Sequence, residues 1–136
     1  PQATGGSLLY NHEVGFDDDG SAMTSFIESS AIDIGDGDKF LFLKQVIPDI
    51  TFTGSTSVNP DVSFTMKSRN NPGANFNETA QVTAQRSATS PVEQFTEKLN
   101  YRLRGRSFAL RIDSTSLGTK YKLGTPRVDI REDGRR

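Results

Sequence analysis

The chain has no cysteine, no tryptophan and a single histidine among its 136 residues. Without cysteine there is no disulfide framework, no thiolate metal site and no thiol nucleophile. One histidine leaves few general bases or metal ligands, and the lack of tryptophan removes the strongest platform for stacking a sugar ring. Long apolar runs are missing too: no stretch approaches the roughly 18 residues of a membrane-spanning helix, and no charged-then-apolar leader opens the sequence, so neither a membrane span nor a signal peptide is expected. The first residue is Pro1, which suggests a processed product or a piece of something longer.

What is present is polar. Only 33% of residues are hydrophobic and 24% are charged, yet nine Phe and three Tyr supply a core and argue against wholesale disorder. The length suits one domain. The net charge of -1 hides a division along the chain. Residues 1–50 carry nine acids against two lysines, a net of -7, while residues 96–136 carry eleven bases against five acids, a net of +6. Single-sign fields of this kind act on association more than on folding. Such a chain can bind copies of itself head to tail, unless the fold mixes the two halves in space.

Helix signals are nearly absent, and short alternating runs are punctuated by Gly, Pro, Asn and Asp. Val62, Phe64 and Met66 share one face of a strand over 62–69, with Ser63, Thr65, Lys67 and Arg69 on the other. Leu99, Tyr101 and Leu103 do the same over 97–104, and Phe108, Leu110 and Ile112 over 107–113. These two runs meet at Arg104-Gly105-Arg106 and predict either a hairpin or one long strand bulged at Gly105. Val128 and Ile130 point inward in a last strand over 127–131. Phe40-Leu-Phe-Leu43 is apolar on both faces, as in a strand covered on both sides or one whose outer face meets a partner. Pro48 ends that strand or sits at an edge, and Ile50 and Phe52 resume a short one. Residues 54–61, 70–77 and 86–91 read as loops. The sum is an all-β chain, a mostly antiparallel two-sheet β-sandwich of about eight strands with little or no helix, over 21–136. Residues 1–20 read as an acidic, Gly-rich arm or linker.

Asp17-Asp18-Asp19-Gly20 and Asp33-Ile-Gly-Asp36-Gly-Asp38 are the metal suspects, since Ca²⁺ takes several hard oxygens on a turn. Neither has EF-hand spacing, and Asp and Gly build turns unaided, so turns are expected and no cofactor. Glu13 with the Asp17 cluster lacks the surroundings of a glycosidase acid pair. His12 has no nucleophile-elbow sequence to serve, and Gly35, Gly37, Gly118 and Gly124 are scattered turn glycines rather than a phosphate loop. We expect no enzyme. The unusual feature is basic: Arg102, Arg104, Arg106, Arg111, Arg127, Arg131, Arg135 and Arg136 outnumber the lysines around them. Planar guanidinium groups suit carboxylates and phosphates alike. Aromatic residues interleave with these arginines only on the inward strand face, which favours protein contact over nucleic acid.

The run from Tyr101-Arg-Leu-Arg-Gly-Arg-Ser-Phe-Ala-Leu-Arg-Ile-Asp113 through Leu123-Gly-Thr-Pro-Arg-Val-Asp-Ile-Arg-Glu-Asp-Gly-Arg-Arg136 resembles the extreme C-terminus of tail-tube or nozzle proteins of short-tailed bacteriophages. Ile32-Asp-Ile-Gly-Asp-Gly-Asp-Lys-Phe40 with Val46-Ile-Pro-Asp49, and Met66-Lys-Ser-Arg-Asn-Asn-Pro-Gly73, resemble the same family. The resemblance covers most of the chain after about residue 26. It implies a virion protein, made in the host cytoplasm and present in several copies around a DNA channel, usually with a larger β-rich portion upstream. Its partners would be other copies of itself and neighbouring tail proteins, with DNA in the channel contacted without sequence specificity. The alternative from another class is a module for surface polysaccharide, which an exposed pair among Tyr10, Tyr101, Tyr121 and Phe76 would favour. On the assembly reading, the subunit-contact candidates are Arg102, Arg104, Arg106, Arg127 and Arg131 against Asp17, Asp18, Asp19, Asp36 and Asp38.

Overall fold

The computed structural model describes residues 15–71 and 87–135, and among them every regular element is a β-strand. The twelve strands are β1 (Asp17–Asp18), β2 (Ser21–Ala22), β3 (Ser25–Glu28), β4 (Ile32–Asp33), β5 (Leu41–Ile47), β6 (Ile50–Thr51), β7 (Asp61–Arg69), β8 (Ser87–Glu93), β9 (Leu99–Gly105), β10 (Ser107–Ser114), β11 (Lys122–Leu123) and β12 (Arg127–Glu132). All pairings are antiparallel. The larger sheet runs β3-β10-β7-β8, with β4 beside the other half of β10, and the smaller runs β12-β5-β9. β1–β2 and β6–β11 form two-stranded ladders.

The alternation read from sequence sets which faces meet. In β7, Val62, Phe64, Met66 and Ser68 are buried while the residues between them are half-exposed. Leu99, Tyr101 and Leu103 of β9 and Phe108 and Ile112 of β10 join them, with Leu41, Leu43, Val46 and Val92, in one core between the sheets. Burying such side chains removes about 1.5–3 kcal/mol of apolar hydration each. Tyr101 adds a polar tie: its hydroxyl donates to the Phe64 carbonyl at 3.0 Å, from the smaller sheet to the larger. Burial pushes the Tyr101 phenol up from its ordinary pKa, so the hydroxyl stays protonated and able to donate.

Between β9 and β10 lies only Arg106, and the two strands belong to different sheets. Of the two expected arrangements, the hairpin is therefore not formed, and the run is not one strand of a single sheet either. Instead the extended chain leaves one sheet and enters the other at Gly105. There a Cβ would lie 2.9 Å from Ser68 Cβ and 3.0 Å from the Arg69 carbonyl oxygen, and the Arg106 N–H donates to that same carbonyl at 2.9 Å. Glycine permits the crossing because β7 backbone passes where a side chain would stand.

Three other expectations are corrected. Residues 87–91, read as loop, open β8. Pro91 fits there because β8 is an edge strand, where a missing N–H costs the sheet no ladder bond. Leu110 is half-buried rather than buried, and Val128, although it faces inward opposite Val46, is 47% exposed. Leu110 sits between the stretches of β10 that pair with β3 and β4, and Val128 lies on the edge strand β12, so neither has a full set of neighbours. Pro48 does terminate β5, as expected.

Candidate functional site

The smaller sheet has one face in the core and one outside. Leu41 and Leu43 of β5 point inward, so Phe42 and the preceding Phe40 point outward. Phe42 is paired with Arg104 on β9 and with Arg131 on β12, which places a row Arg104–Phe42–Arg131 across the outer face. By the same alternation Arg102 and Arg106 lie on this face, and Arg127, paired with outward Ile47, joins them. All five arginines among the subunit-contact candidates thus come to one side of one sheet, although Arg106 and Arg127 are 21 positions apart in the chain.

Their environments differ. Arg104 is fully engaged: its Nε donates to the Asp133 carboxylate, its Nη2 donates to the Asp133 carbonyl at 3.0 Å, and its guanidinium lies 4.1 Å from the Phe40 ring centroid. The Arg106 guanidinium lies 4.9 Å from the same ring, and its buried Nε makes no hydrogen bond among the described residues. This cover leaves Phe40 only 8% exposed on an outward face, an arrangement stabilised by the ring's quadrupole. Arg131 has only a long contact of 3.8 Å with Asp129 among the described residues. Arg102 and Arg127 are exposed and have no ion pair among the described residues. The face therefore carries an excess of positive charge around the buried Phe40 and the half-buried Phe42, and this corrects the expectation that aromatic residues interleave with the arginines only on the inward face.

The acidic candidates do not join it. Asp17 and Ala22, and Asp18 and Ser21, pair across a two-residue turn whose central Asp19 and Gly20 both have positive φ, 47° and 85°. This is the Asp-Gly hairpin turn that twisted strands select. The Asp17 carboxylate accepts the Gly118 N–H at 2.7 Å, which ties the hairpin to a loop 101 residues away, and Lys120 Nζ stands 4.8 Å from the Phe16 ring. Asp36 and Asp38 lie in the turn after β4, exposed, with Asp38 at 3.8 Å from Arg135. The fold mixes part of the charge division within one molecule through this contact, through Lys39–Glu132 at 3.0 Å and through Glu28–Arg111 at 3.1 Å. Among the described residues no three His, Cys, Asp or Glu side chains converge, and His12 and Glu13 lie outside them.

Sequence reasoning missed one cluster, on the outer face of the larger sheet. Glu28 accepts from Lys67 at 2.8 Å and from Arg111, which also chelates Asp113 at 2.7 Å and covers the exposed Phe26 ring at 4.1 Å. Three strands supply it, and only their register brings it together. The Lys67 hydrogen bond, then Arg111, holds the Glu28 carboxyl below its ordinary pKa; Asp113, then Glu28, raises Arg111. A depressed carboxylate stabilises the fold above its unfolded pKa of about 4.3 and loses that contribution as pH falls through the lower folded value. Glu28→Gln is expected to lower stability by up to about 1 kcal/mol at neutral pH, a partly exposed network being worth little more. Urea unfolding of both proteins at neutral and acid pH checks this: the gap should close on acidification, and a gap that persists there refutes the assignment.

A scan of protein-family models finds no match to this chain, and no curated protein matches it at a significant level.

Proposed function

We propose that this chain is a structural subunit, or a domain of one, in the tail tube or nozzle of a short-tailed bacteriophage, acting through contacts with copies of itself and neighbouring tail proteins. The resemblance of most of the chain after about residue 26 to the C-terminal portion of such proteins motivates the proposal. The observation that carries it is the convergence of Arg102, Arg104, Arg106, Arg127 and Arg131 on one sheet face around Phe40 and Phe42. A broad, cationic sheet face suits a carboxylate-bearing protein neighbour, since guanidinium groups fix orientation and register while apolar contact supplies affinity; its aromatic rings suit nucleic acid as well, which the test below separates. The exposed side chains of Asp18, Asp19 and Asp36 on another copy offer such carboxylates.

The saccharide-binding alternative is not supported by either of its two expected rings among the described residues. Tyr101 is buried and Tyr121 is half-buried against the core, while Tyr10 and Phe76 lie outside the described residues.

The test is Arg102→Glu combined with Arg104→Glu, both on β9. In sedimentation at low salt the double variant is expected to self-associate at least about tenfold more weakly than the parent chain, or about 1.4 kcal/mol. Retention on DNA is measured in parallel. Unchanged self-association with lost DNA retention would sink the subunit-contact reading and favour DNA as the partner of this face.

A further inference from the structure

The sandwich is closed along one side and open along the other. On the closed side β9 lies against β7 and β8, and the inward side chains Val92, Leu99, Tyr101 and Leu103 are all buried. On the open side run the edge strands β3 and β4 of the larger sheet and β12 of the smaller. There Ile27 faces inward opposite Ile112, Ile32 opposite Phe108 and Val128 opposite Val46, each partner being fully buried. Yet Ile27, Ile32 and Val128 are 52%, 51% and 47% exposed. Three aliphatic side chains aimed into a core but left in water mark a core that the described residues do not finish.

The edges themselves point to what finishes it. The far edge of the larger sheet, β8, is blunted by Pro91 and small polar residues, as soluble proteins blunt edges against pairing. β3 has no proline or lysine to do the same: all four of its residues are exposed and its centre is Phe26-Ile27. The β3–β4 edge is flanked by exposed carboxylates, Asp18 and Asp19 before it and Asp36 after it, which form no ion pair among the described residues. β12 carries two arginines and two acids; Asp129 stands 3.8 Å from Arg131 and Glu132 pairs with Lys39, which leaves Arg127 as its cation without an ion pair among the described residues. The uncompensated charges at the two open edges are thus opposite in sign, and the edges are alike in apolar content. Both also lie on the same side of the sandwich, so one twofold-related copy brings its β12 to β3–β4 and its β3–β4 to β12 at once. An isologous contact of this kind closes and leaves neither of these two edges free.

We propose that a second copy of this chain closes the open side, with β3–β4 of each copy beside β12 of the other and Ile27, Ile32 and Val128 of both copies merged into one core. The proposal rests on the assembly reading only in taking the partner to be another copy. It uses an edge and, of the arginine-rich face, only Arg127 and Arg131 on β12, so the β9 side of that face stays available to join such pairs.

Because the full chain has no cysteine, single cysteines report the contact cleanly. Ile27→Cys and Val128→Cys proteins are mixed and mildly oxidised. A 27–128 disulfide is expected in about tenfold or greater excess over 27–27 and 128–128, since only residues brought within a few ångströms bridge readily. As a second measurement, light scattering should give at least twice the 14.9 kDa chain mass for the parent, and a clearly lower mass for Ile27→Lys and for Val128→Lys. Absence of the mixed disulfide, dominance of either self-link, or a monomeric parent overturns the pairing. If the mixed link forms while Arg102→Glu with Arg104→Glu changes nothing, the arginine-face reading fails and the pairing stands. If the double variant weakens association and the mixed link never forms, the arginine face stands and the pairing fails.

Discussion

Phe108→Ala should cost about 3–5 kcal/mol, the range for removing a buried aromatic ring that its surroundings cannot replace. Phe108 is 1% exposed in β10, between Ser68 on β7 and Ile32 on β4. Neither neighbour can fill the space: serine is short, and Ile32 sits at the open edge. A loss of this size is a large share of the total stability of a small domain, typically about 5–15 kcal/mol. Leu110→Ala, two residues along the same strand, supplies the internal control. Leu110 is only half-buried, so its truncation should cost clearly less. Urea unfolding of the three proteins decides the matter, and equal losses at the two positions would mean that the open side of the sandwich is covered after all.

The second large effect is expected at Gly105. A methyl group there must displace Ser68 Cβ, at 2.9 Å, and the Arg69 carbonyl oxygen, at 3.0 Å. The latter is backbone already fixed by the Arg106 N–H. Overpacking of this kind costs about 1–3 kcal/mol, and Gly105→Val should exceed that range because its branches meet the same strand. The backbone at Gly105 has no positive φ, so the cost is steric and not conformational. Unfolding midpoints for Gly105→Ala and Gly105→Val check it. An unchanged midpoint for the alanine variant would mean that β7 moves freely away from the crossing, contrary to the steric account.

The distance between sequence and structure is well seen at this glycine. The strands on either side of Gly105 are legible from the alternation of Leu99, Tyr101 and Leu103, then Phe108 and Ile112. That they part company into different sheets is not. Period-two alternation tells a strand which face to bury, but any strand offers the same ladder of N–H and C=O groups to any other. Pro91 misleads for a related reason: proline argues against a central strand, and only the sheet order reveals that β8 is an edge. The candidate site divides in the same way. Its arginines stand out in the sequence by type and number. Phe40 as the ring beneath Arg104 and Arg106 could not be read there, because the two segments meet only through the β5–β9 pairing.

By itself, then, the sequence determined what short-range chemistry controls. It determined the all-β class, the inward faces of β7, β9 and β10, the stop at Pro48 and the Asp19-Gly20 turn, each a matter of neighbours within a few residues. Tertiary structure alone decided which strands share a sheet, and that arginines as far apart in the chain as Arg102 and Arg131 share a face. It also decided that Ile27, Ile32 and Val128 face inward without cover, and that Glu28, Lys67, Arg111 and Asp113 form one cluster. These depend on register and on where one sheet ends over the other, and no local pattern of residues encodes the width of the sheet that will lie opposite.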